Sequence, residues 1–288
     1  MKKKLIGFII ITLSIIFKTS AISAQSKIFS KKENLRDIGE KTLMVVIENN
    51  SLIDLSLKEA VKKTWDLGDY KFCNIEDFEK IKADTSYYFL IRVKGQFKRE
   101  NDPSMEFITI LKGGPDAAMG IDKMYEVLSL PFQALDDGND YILPFIETYM
   151  QIFKTHIKRV QEKKIAATIG ISWYSNRLAE IGERTIMINE NDLSELINAE
   201  EVEKMLKGNG QAVSEDDIEE AVEKKLSKTL VSICIAPQEP QVGSYCYKML
   251  VGADDNELYY YRKQKITDKA PKGFLPEDVK KIGIPFTF

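Results

Sequence analysis

The chain has 288 residues, a formal charge of −3, 44% hydrophobic and 30% charged residues, three cysteines and one histidine. That apolar content and near-balanced charge exclude a disordered tail, and three cysteines are too few for a disulfide scaffold. One histidine excludes every site built on two.

Met1 to Gln25 has the layout of a secretory signal peptide. Lys2, Lys3 and Lys4 form a basic start, Leu5 to Phe17 is an uncharged and mostly apolar core, and Ser20-Ala-Ile-Ser-Ala24 offers small-residue cleavage points. A membrane span needs ~20 apolar residues, and Lys18 ends this run early, so residues 1–24 are expected to be removed, leaving no membrane span. Cleavage takes four lysines and no acid, so the processed chain is more acidic still, a poor match to nucleic acid or another polyanion. The expected location is periplasmic or extracellular.

The next signal is internal. Leu35-Arg-Asp-Ile-Gly-Glu-Lys-Thr-Leu-Met44 returns as Leu178-Ala-Glu-Ile-Gly-Glu-Arg-Thr-Ile-Met187. Later segments recur in the same order. Asn74 to Glu79 matches Ser214 to Glu219, each with a capping residue three before an acid. Tyr87–Val93 matches Leu230–Ala236, Met105–Leu111 matches Tyr245–Val251, and Ile121–Phe132 and Pro276–Phe286 are taken as helical stretches running into Pro-Phe. The expected organisation is a first α/β module at 35–132, a helical connector at 133–177 and a second module at 178–288. Within each copy the order is strand, helix, short strand, helix, strand, strand, helix. This is the α/β class, a tandem duplication of a mixed-sheet module with helices packed on the sheet. Leu258 to Lys265 then counts as an extra strand of the second copy.

In the connector, apolar residues at 142, 145, 146, 149, 152, 153, 157 and 160 form one helical stripe. The stripe needs a cover, which the two modules or a partner helix can supply. A second helix is expected over Ile165–Glu180.

Several constellations bear on chemistry. His156 lies on the apolar stripe, where a histidine is ordinarily a satisfied core residue. Asp136-Asp-Gly-Asn-Asp140 with Glu147 has calcium-loop length, but Tyr141 stands where the turn glycine belongs, so a polar turn accounts for it, as for Asp254-Asp-Asn256. Lys112-Gly-Gly-Pro115 lacks a phosphate-loop pattern. The acids of Glu215–Glu223 suit the first turns of a capped helix. No cofactor or metal set emerges. Cys73 reads as buried and inert. Cys234 and Cys246 lie on adjacent strands at matching parity, so either they bridge in an oxidising compartment or they are two small buried side chains. Tyr245 and Tyr247 share one strand face and Tyr259 and Tyr261 another. Together they make either a binding platform for peptide or glycan, or a core face.

Thr42-Leu-Met-Val-Val46, Asp77-Phe-Glu79, Cys246-Tyr-Lys-Met-Leu-Val-Gly252 and Asp254-Asp-Asn-Glu-Leu-Tyr-Tyr260 resemble a group of exported bacterial envelope proteins of unassigned function. The module order more distantly resembles the amino-terminal domain of the periplasmic protein TolB and the periplasmic domain of the curli-secretion lipoprotein, whose lipid-bearing cysteine has no counterpart here. Those families act by protein contact. The resemblance implies a non-catalytic exported protein that binds an envelope protein or a surface polymer. The alternatives are a carboxylate hydrolase with its site between the modules, and a homo-oligomeric scaffold.

Overall fold

The computed structural model describes residues 35–48, 51–97, 100–135, 141–162, 174 and 177–284. The expected signal segment, the Asp136–Asp140 stretch read as a polar turn and most of the expected second connector helix lie outside these residues.

In the first module β1 (Thr42–Val46), α1 (Leu52–Thr64), β2 (Tyr70–Cys73), α2 (Ile75–Ile81), β3 (Tyr87–Gly95), β4 (Met105–Lys112) and β5 (Tyr125–Ala134) follow in order. After α3 (Ile146–Glu162) the second module repeats them: β6 (Thr185–Asn189), α4 (Ala199–Leu206), β7 (Gly210–Val213), α5 (Glu215–Glu223), β8 (Thr229–Ile235), β9 (Tyr245–Gly252), β10 (Leu258–Lys265) and α6 (Pro276–Ile282). Each module holds a five-stranded mixed sheet. The orders are β2-β1-β3-β4-β5 and β7-β6-β8-β9-β10, so the fold is α/β with two equivalent sheets. In each, the first three strands are parallel and the last three form an antiparallel meander.

Local chemistry starts the helices where the sequence places them. The Ser51 hydroxyl accepts from the Asp54 amide and the Asp54 carboxylate accepts from the Ser51 amide, and Ser214 and Asp217 do the same for α5. Asn74 caps α2 through the Asp77 amide. Each cap satisfies amides that a first helical turn leaves open. At the other end, α4 stops at Lys207, which turns left-handed at φ 56°, followed by Gly208 at φ 81°.

Three expectations change. Ile121–Phe132 is not an α-helix: after a single 3₁₀ turn over Ile121–Lys123 it becomes β5, with Val127 through Phe132 buried without a break. A short run that is apolar except for Ser129 and buried at every position is a strand covered on both faces, and Pro131 is accommodated because β5 is an edge strand. β10 is therefore no addition, since β5 is its counterpart. Finally, α3 is more than a connector. It follows the fifth strand and packs on α1, as α6 follows β10 and packs on α4. It is the closing helix that the first module was expected to have earlier.

The pairing also corrects the alignment of the copies. Thr42 stands beside Tyr87 and Thr185 beside Thr229, so Tyr87 is equivalent to Thr229 rather than to Leu230. One residue matters in a strand because it reverses the face each side chain takes. With the register right, Phe89 faces Leu111 as Val231 faces Val251, which makes Phe107 and Tyr247 equivalent positions. Their rings meet edge to face between the modules, with centroids 5.8 Å apart.

One apolar core runs through both modules. It takes in β1, β3, β4, β5 and α1 of the first, the stripe of α3, and the inner face of the second sheet, including Val231, Ile233, Met249 and Tyr261. All eight predicted stripe residues are buried, so the modules themselves supply the cover. A second core lies between the outer face of the second sheet and helices α4 and α6, built from residues such as Leu206, Leu230, Tyr260 and Val279.

Candidate functional site

The four tyrosines do not form an exposed platform. Tyr247 and Tyr261 are fully buried in the shared core, Tyr259 is 5% exposed, and half-buried Tyr245 stacks on Phe97. Nor do Tyr259 and Tyr261 share a face. A bulge between Leu258 and Tyr260 shifts the register, so Tyr261 points into the core between the modules while Tyr259 joins Tyr260 in the outer cluster. Tyr259 lies under two guanidinium groups, Arg177 at 4.6 Å and Arg184 at 4.9 Å, and donates to Asp255 at 2.7 Å. Arg184 also binds Asp254 and Asp255, each at 2.7 Å. The polar turn thus clamps the start of the second repeat, and Lys41, equivalent to Arg184, pairs with Asp37 at 2.7 Å in the first.

Arg92 in the first module is held between Asp54 at 3.1 Å and Glu106 at 3.2 Å, and a second set of chemistry-bearing side chains gathers on the outer face of the second sheet. Lys248 on β9 sits opposite Cys234 on β8, and Cys246 lies two residues along the same strand. The pair is diagonal rather than directly opposed. Their sulfurs are 3.3 Å apart as free thiols. The Gly273 amide donates to Cys246 Sγ at 3.4 Å. Gly273 has φ 97°, and a Cβ there would meet the backbone nitrogen of Ser194 at 2.5 Å, so only glycine lets this loop pass.

Beside the thiols, the Lys248 ammonium is wholly buried and donates to Asp278 on α6 and to Gln264 on β10. Asp278 is held further by Arg262, by the Tyr260 hydroxyl at 2.7 Å and by the Leu275 amide at 3.0 Å. Burial opposes its ionisation, but the Lys248 charge and these hydrogen bonds win, and its carboxyl is held below the ordinary range. The thiols are pushed apart. Hydrogen bonding between them and burial raise Cys234, while the bond from Cys234, the Gly273 amide and the Lys248 charge lower Cys246 against its burial.

The strip continues to Asp192. The Ser232 hydroxyl donates to its carboxylate at 2.5 Å and the Tyr141 hydroxyl at 3.4 Å, while the Asn189 amide donates to Ser232 at 2.9 Å. Burial pushes Asp192 up to about 8 despite those bonds. Sequence reasoning passed over Lys248, Asp278 and Asp192. One signal was readable: a lysine in the middle of the otherwise uncharged strand Tyr-Cys-Tyr-Lys-Met-Leu-Val implies a buried partner.

The remaining candidates have structural roles. His156 is buried, with Nδ1 2.7 Å from the Tyr174 hydroxyl, and burial lowers it to about 3. Cys73 is half-buried and its thiol is pushed up to about 11 by burial. The Gly113 and Gly114 amides donate to the Tyr87 and Lys82 carbonyls, so the glycine pair is spent on the backbone. Glu147 pairs with Lys63 at 2.6 Å and Lys225 at 3.4 Å. Among the described residues, no three His, Cys, Asp or Glu side chains gather to hold a metal ion, and no helix is long and apolar enough to cross a membrane.

Set against protein-family models, curated proteins and solved structures, the chain matches none.

One surface groove has the make-up of a recognition site. It lies between α1 and the turn that leads into α3, with a volume of about 610 Å3. Leu55, Ala60, Leu143, Pro144 and Ile146 form its apolar lining, and Glu59, Lys62, Lys63 and Glu147 its charged rim. Leu55 in this lining is 48% exposed, and Leu52, three residues earlier on α1, is 61% exposed.

Proposed function

We propose that this chain is an exported envelope protein that works by binding another protein or a surface polymer, without catalysis of its own. The groove along α1 carries the reading, because an apolar floor bounded by both signs of charge suits a short protein segment or an amphipathic polymer. Continuity of the core supports it too. A hydrolase at the module boundary needs a cleft with two carboxylates about 5–10 Å apart, and that boundary is filled by Phe107, Tyr149, Tyr247 and Tyr261. The resemblance to exported proteins that act by contact points the same way, and the signal segment supplies the route.

A photo-crosslinking side chain at Ser56 in the full chain, expressed in its own cell envelope, tests the groove. The expected result is a discrete adduct that disappears when Leu55 is changed to Glu. No adduct, or one indifferent to Leu55→Glu, overturns the groove as the binding face. Amino-terminal sequencing of the cellular protein tests export: a start at Gln25 is expected, and an intact Met1 overturns it.

A further inference from the structure

We propose that Cys234 and Cys246 are an oxidisable dithiol, closed to an intramolecular disulfide by exchange with a disulfide oxidant, with Cys234 the entry thiol and Cys246 the resolving thiol. Geometry carries the assignment. The sulfurs already touch at 3.3 Å across adjacent antiparallel strands, on the same face, and a bond needs them at about 2.05 Å. Accessibility sets the order against ease of ionisation: Cys234 is the harder thiol to ionise, but it is partly exposed whereas Cys246 has no exposure, so an incoming disulfide reaches Cys234 first. The surroundings of Cys246 suit the second step. The Gly273 amide and the buried Lys248 ammonium on the same strand both favour a thiolate at its sulfur.

Written for glutathione disulfide, the Cys234 thiol gives its proton to solvent and attacks one sulfur of the oxidant. The oxidant's S–S bond breaks, one glutathione thiolate leaves, and a mixed disulfide remains on Cys234. The Cys246 thiol then gives up its proton, attacks Cys234 Sγ, and expels the second glutathione thiolate. The two protons released neutralise the two thiolates. The protein loses two electrons and two hydrogens, and one glutathione disulfide becomes two molecules of glutathione. Closure ties β8 to β9 beside the Gly273 loop, whose neighbour Phe274 donates its amide to the Asp192 carbonyl, so the bridge braces the wall of the second core.

This proposal rests on the export reading only for the oxidant in the cell, and the experiment separates the two. The purified full chain is incubated with glutathione disulfide, then digested without reduction and mapped by mass. The expected product is a Cys234–Cys246 linked peptide with Cys73 still alkylatable. Cys246→Ser should trap one glutathione on Cys234, while Cys234→Ser should react at least tenfold more slowly at Cys246. A wild-type protein that keeps both thiols alkylatable, or carries two glutathiones and no bridge, overturns the proposal, whatever the variants do. Alkylation of thiols in intact cells before lysis then addresses export: closure with glutathione disulfide but free thiols in the cell counts against export and leaves the dithiol standing.

Discussion

Lys248 and Asp278 show how a single side chain constrains the second module. Both are fully buried, so removing one leaves the other as an uncompensated charge in the core. Lys248→Met is expected to cost about 3 kcal/mol in urea unfolding, softened by the Arg262 and Tyr260 bonds that remain on Asp278. Two titrations give stability a dependence on pH. Folding keeps Asp192 protonated up to about 8, whereas the unfolded carboxyl ionises near 4, so its contribution is complete below about 4 and is lost as pH rises toward 8. His156 acts in the opposite direction. The unfolded imidazole takes a proton below about 6.5 and the folded one not until about 3, so stability is lost as pH falls through that interval. Melting temperatures across pH should show Asp192→Asn removing the decline between about pH 4 and 8, and His156→Gln the loss as pH falls from about 6.5 to about 3. An unchanged profile in either variant contradicts the corresponding burial.

At the scale of elements, Gly95 and Phe107 join local geometry to the contact between modules. A Cβ on Gly95 would come within 2.4 Å of the Phe107 ring, which lies across β3 and meets Tyr247 beyond. Gly95→Ala is therefore expected to push the ring off its partner at a cost of about 1–3 kcal/mol. Combined with Phe107→Leu, it should cost less than the sum of the two single changes, a coupling that denaturant titration of the double-mutant cycle reads directly. Helix starts were readable in advance, since Ser51, Asn74 and Ser214 are caps written in the chain. The strand β5 was not. Its apolar residues also satisfy a helical spacing, and only pairing with β4 over Met105–Lys112 decides between the two periods.

For the whole molecule, the duplication yields two sheets joined by a shared core. Module boundaries in the sequence suggest two cores, but the first core draws residues from both sheets and from α3. α3 hydrogen-bonds the Pro131 carbonyl through Tyr149 at 2.7 Å, and reaches the β9–β10 turn through Thr148 to Asn256 at 2.6 Å and Thr155 to Glu257 at 2.8 Å. Calorimetry is expected to show a single transition whose calorimetric and van't Hoff enthalpies agree. Two resolved transitions would mean that the modules fold separately.

Much of this architecture is written locally. The repeat, the α/β class, the capped helices and the amphipathic stripe follow from short-range patterns: residue identity at 2- and 3.6-residue spacing, and hydrogen bonds closed within one helical turn. What depends on distant partners was decided by tertiary structure alone. The one-residue register between β3 and β8, the bulge that separates Tyr259 from Tyr261, and the meeting of Cys234 with Cys246 are set by which strand lies alongside which. The same holds for the candidate sites. Four tyrosines on alternating positions look alike whether they face water or core, because alternation reports that a strand has two faces and says nothing about which of them another sheet will cover.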